Sequence, residues 1–152
     1  MAHVELSTQI DAPPQAVWDL TTDFRRIPEL SPASVVDVSY VSEGEVGVGT
    51  VFREKGRLGP MRFETEWHVT EFDPPRRHVH VGGMGPMKMV VTTEIVPTDQ
   101  GSLLRHTVDT HMTPFLRPLG LLAEGLFLHR QLESTLHSTH ANTKRLLEAE
   151  PT

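Results

Sequence analysis

Residues 113–148 read TPFLRPLGLLAEGLFLHRQLESTLHSTHANTKRLLE, and this is the longest periodic stretch of the chain. Thr113 is a suitable N-cap, and Pro114 occupies the first helical position, where a missing N–H breaks no bond. No further proline interrupts the stretch after Pro118. Leu119, Leu122, Leu126, His129, Leu132, Leu136 and Thr143 recur at spacings of three, four or seven, which puts them on one stripe of a 3.6-residue helix. Arg117, Glu124, Arg130, Glu133, Lys144, Arg145 and Glu148 mostly fall elsewhere. Such a helix would be roughly 50 Å long, more than the width of a small domain, so it is expected to overhang or to bend near Pro118 and Gly120. Placed after a run of strands, it predicts a sheet wrapped around a helix.

Upstream the period is two. Val4, Leu6, Thr8 and Ile10 alternate with Glu5, Ser7 and Gln9, a strand with one wet face. Asp11-Ala12-Pro13-Pro14 breaks it and starts a short helix with Val17, Trp18, Leu20 and Thr21 on its apolar side; a second short helix over Asp23 to Leu30 stops at Ser31-Pro32. Strands are predicted over Val35–Val41, Gly49–Arg57, Met61–Phe72, Arg76–Val81, Met87–Val96 and Ser102–Met112. Each is separated from the next by turn residues, and connections this short imply antiparallel neighbours.

The composition bounds the function. At 152 residues the chain is expected to be one domain, 1–152, able to fold without staples as a monomer or homodimer. It has no cysteine, which excludes disulfides, thiolate metal sites and a cysteine nucleophile. A formal charge of −6, with basic residues scattered rather than striped, argues against nucleic acid as a partner. The longest apolar run, Leu119–Leu128, contains Glu124 and is too short for an integral membrane segment. Met1-Ala2-His3-Val4-Glu5 lacks the basic-then-apolar start of a secretory signal, so a cytoplasmic protein is expected.

The order strand, two short helices, six strands, long helix resembles the START-like (SRPBCC) superfamily of helix-grip proteins, which includes polyketide cyclase/dehydrase-like and birch-pollen-allergen-like members. The resemblance is carried by Ile10-Asp11-Ala12-Pro13-Pro14-Gln15-Ala16-Val17-Trp18, by Asp23-Phe24 with Ile27-Pro28-Glu29-Leu30, by Gly47-Val48-Gly49-Thr50, and by Val69-Thr70-Glu71-Phe72-Asp73-Pro74-Pro75-Arg76-Arg77. It covers nearly the whole chain, and its motifs mark fold more than reaction. It implies an α+β fold: a curved seven-stranded antiparallel sheet that encloses a cavity with its two short helices and long C-terminal helix.

Alternation assigns inward faces to that cavity. Phe63, Thr65, Trp67 and Val69 oppose Glu64, Glu66 and His68; Met87, Met89, Val91, Thr93 and Ile95 oppose Lys88, Val90, Thr92 and Glu94; Leu104, His106, Val108, Thr110 and Met112 oppose Leu103, Arg105, Thr107, Asp109 and His111. Methionine suits an adaptable pocket because its thioether repacks around different shapes, although for any single methionine core filling is the plainer role. His106, in phase with the cavity, is the candidate polar handle or proton shuttle, against the alternative of a satisfied core histidine. Leu122 and His129 on the helix stripe are placed on the same space. On the strand after Gly49, either Arg53, as an anion or carbonyl anchor, or the Phe52/Glu54 set faces inward. Tyr40, on a face with Val36 and Val38, is placed at the rim. The ligand-binding set is therefore Tyr40, Arg53, Phe63, Trp67, Met87, Met89, His106, Val108, Leu122 and His129.

Nine histidines raise the question of metal. His78-x-His80 shares one strand face, expected to be a solvent face, and Glu133, His137 and His140 lie a helical turn apart. Neither set is completed by a sure further ligand nearby, so no metal and no other cofactor is expected. Gly82-Gly83-Met84-Gly85 lacks the strand-then-helix context of a dinucleotide fingerprint and is expected to be a loop over the cavity mouth. These features predict a module that binds a small hydrophobic or aromatic molecule, polyketide-like or lipid-like. The alternatives are an enzyme resembling polyketide cyclases, catalysing cyclisation and dehydration, and a protein acting on a lipid-associated or quinone-associated partner.

Overall fold

The computed structural model describes residues 2–58, 60–84, 87–112 and 121–149, those at 2, 58, 84, 112 and 121–128 by their backbone alone. The elements run β1 (Ala2–Ile10), α1 (Pro14–Thr22), a single 3-10 turn (Phe24–Arg26), α2 (Ile27–Leu30), β2 (Val35–Tyr40), β3 (Val51–Leu58), β4 (Met61–Asp73), β5 (Arg77–Met84), β6 (Met87–Thr98), β7 (Gly101–Met112) and α3 (Leu121–Ala149). All strand pairs are antiparallel, in the order β1-β7-β6-β5-β4-β3-β2, so the six-strand meander closes back on β1. The expected helix start at Thr113 lies outside the described residues. No described helix is long and apolar enough to cross a membrane.

The helix crosses the sheet by its C-terminal half. Leu136 packs on Val4 and Val108, while Lys144 Nζ donates to the Gln9 carbonyl at 3.1 Å and Asn142 Nδ2 to the Leu30 carbonyl at 2.9 Å. On the same flank as Asn142, Ser31 bonds to Thr139 and Ser34 to Thr135 through their hydroxyls. The chain between α2 and β2 is thereby tied to α3. A second cluster, Ile10, Val17, Trp18, Ile95 and Leu104, seats α1 on the sheet; a third, Phe24, Val38, Phe52, Trp67 and Met89, fills the opposite end.

Two irregularities reset the strand faces. The register shifts between Val69 and Glu71, so Phe72 rather than Glu71 turns inward and packs edge-on against Trp18 with ring centroids 4.9 Å apart. A shift between Val35 and Asp37 leaves Val35 and Val38 buried and Val36 55% exposed, so Tyr40 shares its face with Val38 and not with Val36. Gly82 and Gly83 do not form a mouth loop: both lie in β5, opposite Met89 and Lys88. Gly82 is needed for close approach, since a Cβ there would stand 2.7 Å from Trp67 Cε3 and 2.8 Å from the Glu66 carbonyl oxygen. Trp67 therefore lies across its neighbour strand.

Candidate functional site

Between sheet and helix lies a cavity of about 190 Å³. Its apolar wall comes from β4 (Phe63, Trp67), β6 (Met87, Met89) and β7 (Val108), with Phe24 and Leu136 closing it. Phe63 gains its place because Gly56, on the facing strand, has no side chain: a Cβ there would lie 2.5 Å from the Phe63 ring. Ser31, Ser34, Arg57, Gln131, Thr135 and Thr139 border the cavity where α3 meets the segment before β2.

The polar part of the wall is formed by Glu54, His78, His80, Thr93 and His106. His78 and His80 sit on β5 opposite Thr93 and Val91, and directly opposed residues share a face, so both imidazoles point with the inward set of β6. They are buried, His78 to 1% exposure, which corrects the expectation of a solvent face. Their rings stack 6.2 Å apart; His80 also meets Trp67 edge-on at 4.9 Å, and Trp18 meets His78 at 5.2 Å. Neither ring nitrogen of His78 has a partner, nor has Nδ1 of His80, Nε1 of Trp67 or Oγ1 of Thr93. In β7, His106 Nδ1 is 2.7 Å from His140 Nε2, and His140 Nδ1 is 2.7 Å from Thr8 Oγ1. This chain, buried at both histidines and half-buried at Thr8, links the cavity wall to α3 and β1.

Burial sets the protonation. It drives His78 and His80 down to about 3, helped by the neighbouring charges of His80 and His106 respectively. His106 is held well below its ordinary value by burial and then by His140 and His78; His140 falls to about 4 by burial, then by His137. All four are neutral imidazoles at pH 7, each with one donor and one acceptor nitrogen. Glu54 moves the other way: burial pushes its carboxyl up to about 7. The Trp67 indole beside it partly opposes that rise, although its N–H closes no well-formed hydrogen bond. The residue keeps some accessible surface because it faces the cavity rather than bulk water.

Of the residues singled out from the sequence, Phe63, Trp67, Met87, Met89, His106 and Val108 line this space. Arg53 does not. Strand phase puts Phe52 and Glu54 inward and Arg53 on the outer face, where it pairs with Glu64 at 3.1 Å and Glu66 at 3.3 Å. Tyr40 is not at the rim either: its hydroxyl accepts the Phe24 N–H at 3.2 Å, the Arg25 guanidinium lies 5.4 Å from its ring, and it borders a separate surface depression. His129, with its side chain 42% exposed, sits 3.3 Å from Glu133 on α3, away from the described lining. The Leu122 side chain lies outside the described residues. Among those described, no three histidine, aspartate or glutamate side chains are arranged to hold a metal ion.

The family described as polyketide cyclase/dehydrase and lipid transport matches residues 1–148. The uncharacterized protein Rv1546 of Mycobacterium tuberculosis is 32% identical over 126 residues, 81% of this chain and 86% of that one. Among solved structures, the Zhui aromatase/cyclase from Streptomyces sp. R1128 superposes with a TM-score of 0.77 at 17% identity, over 97% of this chain and 93% of its own. Ara h 8.0201 gives 0.75 at 17% identity, over 98% and 99%. At these identities the structural likeness shows the fold alone, a helix grip; the family match over residues 1–148 is what supports the START-like (SRPBCC) superfamily.

Proposed function

Since the chain belongs to the polyketide cyclase/dehydrase and lipid transport family, we propose that it binds one small, mainly apolar molecule bearing a few polar groups inside the cavity. The observation that carries this is the set of unpaired buried polar atoms on the cavity wall, from Trp67, His78, His80 and Thr93. Each such atom costs about 1–3 kcal/mol when left unpaired, and a ligand that completes them recovers that energy. The volume sets the scale. A dry cavity of about 150 Å³ holds benzene, so 190 Å³ suits one substituted ring. The experiment is a titration of isotope-labelled protein with benzyl alcohol, followed by amide chemical shifts. Saturable shifts concentrated in residues 78–93 and 104–108 are expected. Shifts confined to the outer face, or none, would overturn the proposal.

A second reading, a cyclase-type enzyme, is favoured by the Thr8–His140–His106 chain, which can carry a proton between the cavity wall and β1. It predicts faster exchange of the α-protons of acetylacetone in the presence of the protein and loss of that effect in His106→Asn; no acceleration removes the reading. Action on a lipid-associated or quinone-associated partner has less behind it. Over residues 129–149 of α3 the exposed positions are Arg130, Glu133, Ser134, His137, Ser138, Ala141, Arg145, Glu148 and Ala149, whose only apolar members are two separated alanines, so they form no apolar patch.

A further inference from the structure

Glu54 is an inward carboxyl that no lysine or arginine among the described residues pairs with. Its position is defined by register. Thr65 lies opposite it across β3 and β4, and Phe63 and Trp67 stand two residues to either side of Thr65 on the same face. The absent side chain at Gly56 lets the Phe63 ring lean onto β3, and Phe52, next inward on Glu54's own strand, lies 6.4 Å from Trp67 by ring centroids. The carboxyl thus stands among aromatic side chains. The histidines of the wall, His78, His80 and His106, are neutral, and three of their nitrogens have no partner. Arg57 reaches only the border, with its side chain exposed.

A buried carboxylate without a counter-ion is costly, and the group that relieves it is a cation. Aromatic faces favour a cation as well, through their quadrupoles. An ammonium brings two or three N–H donors, which suit a carboxylate together with neutral imidazole acceptors. A carboxylate ligand, by contrast, would meet Glu54 as a like charge and find no buried cation among the described residues.

We propose that Glu54, between Phe63 and Trp67, is the anchoring site for the protonated nitrogen of a compact aromatic or alkyl amine held in the cavity. This rests on the cavity being a ligand site, and it names the ligand's class. Binding a cation beside Glu54 stabilises the carboxylate, so at pH 6, where the acid is largely protonated, amine binding expels its proton to solvent. The other titratable groups facing the cavity, His78, His80, His106 and Arg57, are already in the states a cation favours or lie at the border, so they release none.

The test compares benzylamine with benzyl alcohol, equal in shape and different in charge, by calorimetry at pH 6 in two buffers of different ionisation enthalpy. The amine should bind at least about tenfold more tightly and release about one proton per molecule bound, while the alcohol releases none. In Glu54→Gln the two affinities should converge and the proton release disappear; Phe63→Leu, which keeps the carboxyl, should retain the release and narrow the preference. Equal affinities in the unmodified protein, or a preference without proton release, would overturn the inference and leave the cavity as a neutral-ligand site. Failure of both compounds to bind would overturn the ligand site itself. If Glu54→Gln does not fold, the proton release of the unmodified protein decides alone.

Discussion

His78 is buried among Trp18, Phe24 and His80 with neither ring nitrogen paired, so it contributes to the site at the expense of the fold. His78→Leu should therefore stabilise the protein by about 1–3 kcal/mol in denaturant titration and weaken binding of polar ligands relative to plain hydrocarbons. A loss of stability of that size would mean the ring has a partner. His106 has the opposite prediction, because its Nδ1 holds His140 in place. His106→Leu orphans His140 Nε2 inside the protein and should cost about 1–3 kcal/mol. No change in the unfolding midpoint would remove the chain from the account. Sequence alternation located His106 because strict period two continues from Leu104 to Thr110. It missed His140, which lies between Leu136 and Thr143 on the buried side of α3, because its spacing from Glu133 and His137 suggested a different face. His78 and His80 were hidden for another reason: in His78-Val79-His80 all three residues are buried, so the polar-apolar contrast does not mark a wet face and points the histidines the wrong way. The cross-strand register, with Thr93 and Val91 opposite, is the signal that finds them.

At the scale of elements, the faces of β4, β6 and β7 and the sheet's order were legible because each strand alternates and each turn is short. What alternation does not encode is a bulge. The two register shifts, at Val69/Glu71 and Val35/Asp37, bring Phe72 inward and set Val36 outside, and both depend on backbone pairing that the side-chain pattern does not record. The phase of β3 was open for a related reason, since Arg53 and Glu54 are both charged; pairing of Arg53 with two outer-face glutamates on β4 resolves it. Gly82 carries the packing between β4 and β5. Gly82→Ala would drive a methyl group into Trp67 and into the Glu66 carbonyl oxygen, neither of which can move without shifting a strand. The expected cost is about 1–3 kcal/mol with a shifted Trp67 emission, measured in a Trp18→Phe background. A fully stable Gly82→Ala protein with unchanged emission would show that the ring does not cross β5.

For the whole molecule, four imidazoles depressed below 6.5 and one raised carboxyl fix how stability depends on pH. The histidines are neutral when folded and protonate near 6.5 when unfolded, so their stabilisation is complete above pH 6.5 and is lost as pH falls below it. Glu54 acts in reverse: it holds its proton in the folded state up to about 7, and that contribution is lost as pH rises. Near pH 5.5 unfolding takes up about three protons net, and stability should fall by roughly 4 kcal/mol per pH unit. Unfolding free energy that stays flat from pH 7 to pH 5 would contradict the burial of the cluster. The central claim is that the cavity between sheet and helix is a ligand site, and Trp67 on its wall reports on it most directly. With Trp18 replaced by Phe and excitation at a wavelength that benzyl alcohol does not absorb, Trp67 emission should change saturably with one molecule bound, and Met89→Trp, which fills the cavity, should abolish that binding. Binding that leaves Trp67 emission untouched, or that survives in a folded Met89→Trp protein, would place the ligand elsewhere.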